Sequence, residues 1–261
     1  MLFVADIGNT STTIGIYDGK NLVHSWRVAS DDKRSEDEYG VVLYNFIEFA
    51  GLHGKLDGAI ISSVVLSLTE KFKSAIERYL HIPVVNLTHK TKTGIILDLD
   101  KPEETGPDRI ANAAAVYHLY KKTSIVVDFG TATTFDVVLS DGRFLGGVIA
   151  PGIRIGANAL SNFTSRLPKV KIEAPAKTIG KNTIDAILSG LVGGHAAMID
   201  GMVDRIEDEL GEPAMLILTG GYSDIVVERM SHRFDILDHN LTLEGLRLIY
   251  EMQRMPCALK V

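Results

Sequence analysis

Two stretches of this 261-residue chain repeat one order of residue types. Val4-Ala5-Asp6-Ile7-Gly8-Asn9-Thr10-Ser11-Thr12 and Val126-Val127-Asp128-Phe129-Gly130-Thr131-Ala132-Thr133-Thr134 each run from an apolar strand through Asp, an apolar residue and Gly into short hydroxyl or amide side chains. Glycine removes the Cβ, so main-chain N–H groups can approach an anion, and Ser, Thr or Asn add donors without bulk. A carboxylate at the strand end can hold a cation that neutralises phosphate charge. One copy alone reads better as a capped turn than as a phosphate loop. Both copies, however, continue through an apolar segment, an Asp-Gly pair (Asp18-Gly19 and Asp141-Gly142) and a second extended segment. One supersecondary unit therefore occurs twice, and its two loops are expected to close on one phosphate-bearing ligand.

A third stretch, Gly106-Pro107-Asp108-Arg109, precedes a helical pattern with Ile110, Ala113, Ala114 and Tyr117 on its apolar face. Proline and a carboxylate suit a first helical turn, which accounts for Asp108 by structure alone. The alternative is that Asp108 accepts a proton from a substrate alcohol while Arg109 engages a negative group. Gly146-Gly147-Val148-Ile149-Ala150-Pro151-Gly152 fits either a bent strand or a wall of the second loop, and Thr219-Gly220-Gly221 offers glycines on which a flat base could lie. No two glycines have the Rossmann spacing, and Gly180-Lys181-Asn182 lacks the rest of a Walker A loop. The eight histidines show no metal spacing.

The elements that must position these residues alternate between strand-like apolar runs and helix-period segments, an α/β pattern with mixed sheets. Strands are expected at 2–5, 59–65, 83–85, 125–127, 133–139 and 215–218. Ser35 with Glu38 and Ser67 with Glu70 have capping-box spacing, and a long helix is expected from Thr183 to Gly211. Its interior glycines, Gly190, Gly193, Gly194 and Gly201, predict a kink or the close approach of another helix or chain. Domains are expected over residues 1–115 and 116–261. A net charge of −6 argues against a nucleic-acid partner, and the single Cys257 excludes an internal disulfide. No apolar run matches a membrane span or a signal peptide, so the expected location is the cytoplasm.

Taken together, these motifs resemble the actin, sugar-kinase and Hsp70 superfamily. With Ile179-Gly180-Lys181-Asn182-Thr183 and Leu241-Thr242-Leu243-Glu244-Gly245-Leu246 added, they resemble the type III pantothenate kinases over nearly the whole chain. The resemblance implies duplicated actin-like, ribonuclease H-like domains around an interdomain nucleotide cleft. It also implies phosphorylation of pantothenate by ATP with Mg²⁺ and a monovalent cation, K⁺ or NH₄⁺, in a homodimer. Asp6, Ile7, Gly8, Asn9, Thr10, Ser11, Thr12 and Thr13 would then form the first ATP loop, with Asp6 reaching Mg²⁺ through water. Thr131 would contact ATP from the second loop and Asp128 would bind the monovalent cation. Leu99, Gly106, Pro107, Asp108 and Arg109 would hold pantothenate, with Asp108 as base and Thr183 reaching substrate from the partner subunit; Thr183 is otherwise a plain helix cap. Leu99 and Pro107 depart from the family pattern, which often has an aromatic residue and alanine there. Two other readings stay open: another small-molecule kinase or ATPase of the fold, and a non-catalytic nucleotide-binding transcriptional accessory factor.

Overall fold

The computed structural model describes residues 1–231 and 234–254, so Cys257 lies outside the described residues. The chain separates into two compact units, Met1–Tyr120 together with the segment that begins at Leu241, and Lys121–Asn240.

In the first unit the sheet order is β3-β2-β1-β4-β5, from β1 (Leu2–Ile7), β2 (Ser11–Asp18), β3 (Asn21–Ala29), β4 (Gly58–Ser63) and β5 (Val84–Asn86). β1, β2 and β3 form an antiparallel meander, whereas β4 and β5 join in parallel. β1 and β4 are buried on both faces, as strands covered by helices on each side must be. One face packs on α1 (Glu36–Phe49) and α2 (Leu66–Ala75) through Phe3, Ala5, Ile61, Tyr39, Leu43 and Phe72. The other packs on α3 (Pro107–Tyr120) and the last helix of the chain through Val4, Ile60, Ile110, Leu246 and Ile249. Between β5 and α3 runs a connection holding the two-residue β6 (Ile96–Leu97).

The second unit repeats this wiring. β7 (Ser124–Phe129), β8 (Ala132–Val138), β9 (Arg143–Pro151), β10 (Met215–Thr219) and β11 (Ile236–Leu237) lie in the order β11-β10-β7-β8-β9. β7, β8 and β9 are again antiparallel, and β10 and β11 again parallel. Each meander has a register shift at the same place, between Ile16 and Tyr17 in one and between Val137 and Val138 in the other. A shared bulge in addition to a shared strand order shows that the units are copies of one design.

The insertion between β9 and β10 holds α4 (Ile153–Asn162), α5 (Thr183–Leu188) and α6 (Gly194–Leu210), and α7 (Ser223–Val227) links β10 to β11. α5 and α6 are one helical stretch joined by a π-helical turn over Ser189–Gly193. The glycine-rich interior thus takes the form of a π-bulge, a known cause of helix kinks. By length and composition the 28 residues Thr183–Leu210, the long helix expected from the sequence, could cross a membrane, contrary to the expectation that no apolar run would match a span. Its apolar face, Ile187, Leu191, Ala196, Ile199 and Val203, is instead packed in the core of the second unit.

Two expectations change. The capping box at Ser35 is present, with the Glu38 N–H donating to Ser35 Oγ and the Ser35 N–H to Glu38 Oε2. The one at Ser67 is not, because α2 starts at Leu66 behind Val65 and its first polar contact is Thr69 Oγ1 donating to Ser63 Oγ at 2.8 Å. Secondly, a boundary at residue 115 would cut α3, which runs to Tyr120, and α8 (Leu241–Arg254) belongs to the first unit, not the second. The apolar residues of α8 leave no choice: Leu243, Leu246, Ile249 and Tyr250 share a core with Leu2, Val4 and Ile60.

Candidate active site

In the first unit the chemistry-bearing residues gather at the carboxyl ends of β1 and β4. Asp6 is the penultimate residue of β1, half-buried, and Ile7 pairs with Thr12 across the turn Gly8-Asn9-Thr10-Ser11. The turn is closed by the Gly8 N–H donating to the Ser11 carbonyl at 3.2 Å. Ile7 and Thr12 are fully buried, with Thr12 Oγ1 and Ser30 Oγ 3.1 Å apart, so these two could meet a ligand only through their main chain. Gly8, Asn9, Thr10, Ser11 and Thr13 retain exposure.

Val64 connects this turn to the third motif. Its N–H donates to the Ile7 carbonyl, and its side chain lies beside Gly106. α3 then starts at Pro107, and the Ile110 N–H donates to the Gly106 carbonyl at 3.2 Å. Asp108 stands in this first turn with its Oδ1 accepting the Arg109 N–H at 2.9 Å. The carboxylate folds back over Gly106, in the space a side chain at 106 would take. Burial pushes the Asp108 carboxyl above the ordinary carboxylate range, and the Arg109 N–H and guanidinium pull it only part of the way back. A base so placed holds a proton more firmly than a free aspartate, which raises the driving force for taking one from an alcohol.

In the second unit Phe129 pairs with Thr133 across Gly130-Thr131-Ala132. This turn is one residue shorter than the first, so Thr133, not Thr134, is the counterpart of Thr12. Aligning the two motifs without a gap, as the sequence invites, puts the following strand one residue out of step. At the position matching Ser30 stands Gly152, the N-cap of α4. A Cβ there would overlap the carbonyl oxygens of Thr131 and Gly130, so the α4 N-terminus can lie against the turn only with glycine. Gly220, at φ 93° after β10, lies equally tightly against the Asp128 carboxylate and the Phe129 main chain. Asp128, Thr131, the helix N-terminus and the Gly220-Gly221 loop therefore share one end of this sheet, an arrangement suited to an anion and its counter-ion.

Leu99 is half-buried in the connection leading to α3, and Thr183 is exposed. Thr183 is the first residue of α5 and not its cap, because Asn182 Oδ1 accepts the Asp185 N–H at 2.9 Å. Asp6 and Asp128 are hard oxygen donors of the kind Mg²⁺ and K⁺ accept. No group of three or more His, Cys, Asp or Glu gathers among the described residues. A single carboxylate of this kind suits a cation shared with ligand oxygens and water, which is how Mg²⁺ commonly sits with nucleotide phosphates.

A family model described as type III pantothenate kinase matches residues 2–205. Among curated relatives, a type III pantothenate kinase of Dehalococcoides mccartyi strain BAV1 is 42% identical over 255 residues, covering 97% of each chain. One from Halalkalibacterium halodurans is 39% identical over 252 residues, covering 96% of this chain and 99% of the relative. Among solved structures, a Campylobacter jejuni protein described as a Baf family transcriptional activator superposes with TM-score 0.59 at 23% identity, covering 96% of this chain and 98% of that one. The ROK hexokinase of Thermus thermophilus gives 0.51 at 15% identity, covering 97% and 99%. These two show the fold, the duplicated α/β architecture of the actin-like ATPases and sugar kinases, and the curated relatives show more: the chain belongs to the type III pantothenate kinase family.

Proposed function

We propose that the chain transfers the γ-phosphate of ATP to the terminal hydroxyl of pantothenate, giving 4′-phosphopantothenate, the first step of coenzyme A synthesis. The observation that carries this reading is Asp108. Its carboxylate is held in the first turn of α3 beside Val64, which is hydrogen-bonded to the end of the first phosphate turn, in a chain of this family. In the reaction, Asp108 orients the pantothenate hydroxyl and takes its proton as the bond to phosphorus forms, with Gly106, Pro107, Arg109 and Leu99 around the acceptor. Phosphoryl transfer asks little more of the protein than positioning and charge neutralisation. The N–H groups of the Gly8–Ser11 turn and of Thr131 supply donors to phosphate oxygens. Asp6 would hold Mg²⁺ through water and Asp128 would hold K⁺ or NH₄⁺, and each cation when bound would neutralise phosphate charge on ATP.

The second copy of the chain belongs to the same proposal. Ile155, Phe163, Ile179 and Ile184 are exposed, and Gly190, Gly193, Gly194 and Gly201 face open space, so the α4–α6 region has an apolar surface with room for another helix. A homodimer through it would bring Thr183 toward the partner's substrate. The cytoplasm is the proposed compartment.

ATP consumption by the purified chain with Mg²⁺ and K⁺ should require pantothenate or a close analogue. Equal turnover with sugars, or with no acceptor, would overturn the assignment. Asp128→Ala should abolish stimulation by K⁺, read as rate against K⁺ at constant ionic strength, and a K⁺ response like that of the unaltered protein would remove the cation site from Asp128.

A further inference from the structure

The helix that carries Asp108 is held by a helix from the far end of the chain. Thr242 Oγ1 donates to Asn112 Oδ1 at 2.8 Å, across 130 residues of sequence, and Asn112 is only 1% exposed. Three residues further along α8, Gly245 meets the α3 main chain directly, since a Cβ there would overlap the carbonyl of Ala111. The two helices are thus in backbone-to-backbone contact one turn beyond Asp108, closer than side chains normally let helices come. α8 is itself fixed on the sheet. Arg247 is buried, with Nε and Nη2 donating to Glu244 and Nη1 to Glu251, and its guanidinium stands 5.8 Å from the Tyr17 ring centroid. Leu243 reaches the β2 main chain at Gly15 from the same helix.

We propose that Thr242 and Gly245 are positioning residues for Asp108: they fix the axial place and rotation of α3, and with it the direction of the carboxylate. The proposal rests on the reading of Asp108 as the base. A hydrogen bond from the half-buried Thr242 to the buried Asn112 specifies one register of α3 against α8, where the alanine-rich contact around it carries no directional bond of its own. Displacing a catalytic group by about 1 Å costs on the order of 100-fold in rate.

Thr242→Val keeps the shape and removes the donor, and Thr242→Ser keeps the donor. Steady-state kinetics of both, and of Thr242→Val in an Asp108→Asn background, test the proposal. Thr242→Val should lower kcat about 10-fold or more with the KM for ATP unchanged, Thr242→Ser should restore it, and Thr242→Val should have no further effect once Asp108 is Asn. A merely structural bond would lower thermal stability and leave kcat per folded enzyme intact, or reduce it by the same factor in both backgrounds, and either result overturns the proposal. The single Asp108→Asn variant reads the underlying assignment separately: normal turnover in it would remove the base, whatever Thr242 does.

Discussion

Asp108→Asn should cut kcat by about 10²- to 10⁴-fold, the range general bases contribute, while leaving ATP affinity and fold in place. The geometry makes this a clean test, because Asn Oδ1 can still accept the Arg109 N–H that Asp108 Oδ1 accepts now. The same substitution should not destabilise the protein. Since burial raises the carboxyl's pKa on folding, the folded chain keeps this proton to higher pH than the unfolded chain does. Ionising Asp108 therefore works against folding, and stability is lost as pH climbs from the unfolded value toward the raised folded one. At neutral pH, Asp108→Asn should melt no lower than the parent, and the difference should move in favour of Asn as pH rises through that window. In the parent, kcat/KM should fall on acidification with a midpoint above the ordinary aspartate value of about 3.9. Calorimetry and a pH–rate profile check both signs; a variant that is inactive because it is unfolded would contradict the account.

Gly152→Ala should damage ATP use more than any change in the loop side chains. Its Cβ would meet two main-chain carbonyls, of Thr131 and Gly130, which cannot rotate away as a side chain could. The second turn must then shift off the α4 N-terminus, and with it go the donors proposed to face the phosphates. We expect kcat/KM for ATP to fall about 10- to 100-fold, in line with sub-ångström misplacement of binding groups. The rest of the second unit should keep its circular dichroism. The matching site of the first unit is Ser30, whose Oγ bonds Thr12, so Ser30→Ala should do far less, and equal losses at both positions would contradict the close approach.

Much of this was legible in the sequence because it is local. The apolar runs that end in Asp6 and Asp128 became β1 and β7, and the Ser35 and Glu38 spacing became a capping box. The duplication was visible in residue order, but its register was not, since only strand pairing shows that the first turn holds one residue more. Ser67 with Glu70 had the same spacing as the true box and failed because the chain leaving β4 had already started a helix at Leu66. Least legible was the return of α8 to the first unit, a contact between segments more than a hundred residues apart. One signal for it existed: Asn112 interrupts the Ile110-Ala111 and Ala113-Ala114-Ala115 run of α3, and a buried amide needs a partner. The raised pKa of Asp108 was likewise out of reach, because burial of a first-turn aspartate depends on what packs around Gly106 and Val64.

On the proposed mechanism, phosphate moves from ATP to pantothenate with Asp108 as the proton acceptor. Mass spectrometry of a reaction containing γ-labelled ATP, Mg²⁺, K⁺ and pantothenate tests it most directly, run in parallel with Asp108→Asn. Labelled 4′-phosphopantothenate should form with the parent protein and only a trace with the variant. Label recovered solely as inorganic phosphate, or product formed equally by both proteins, would contradict it.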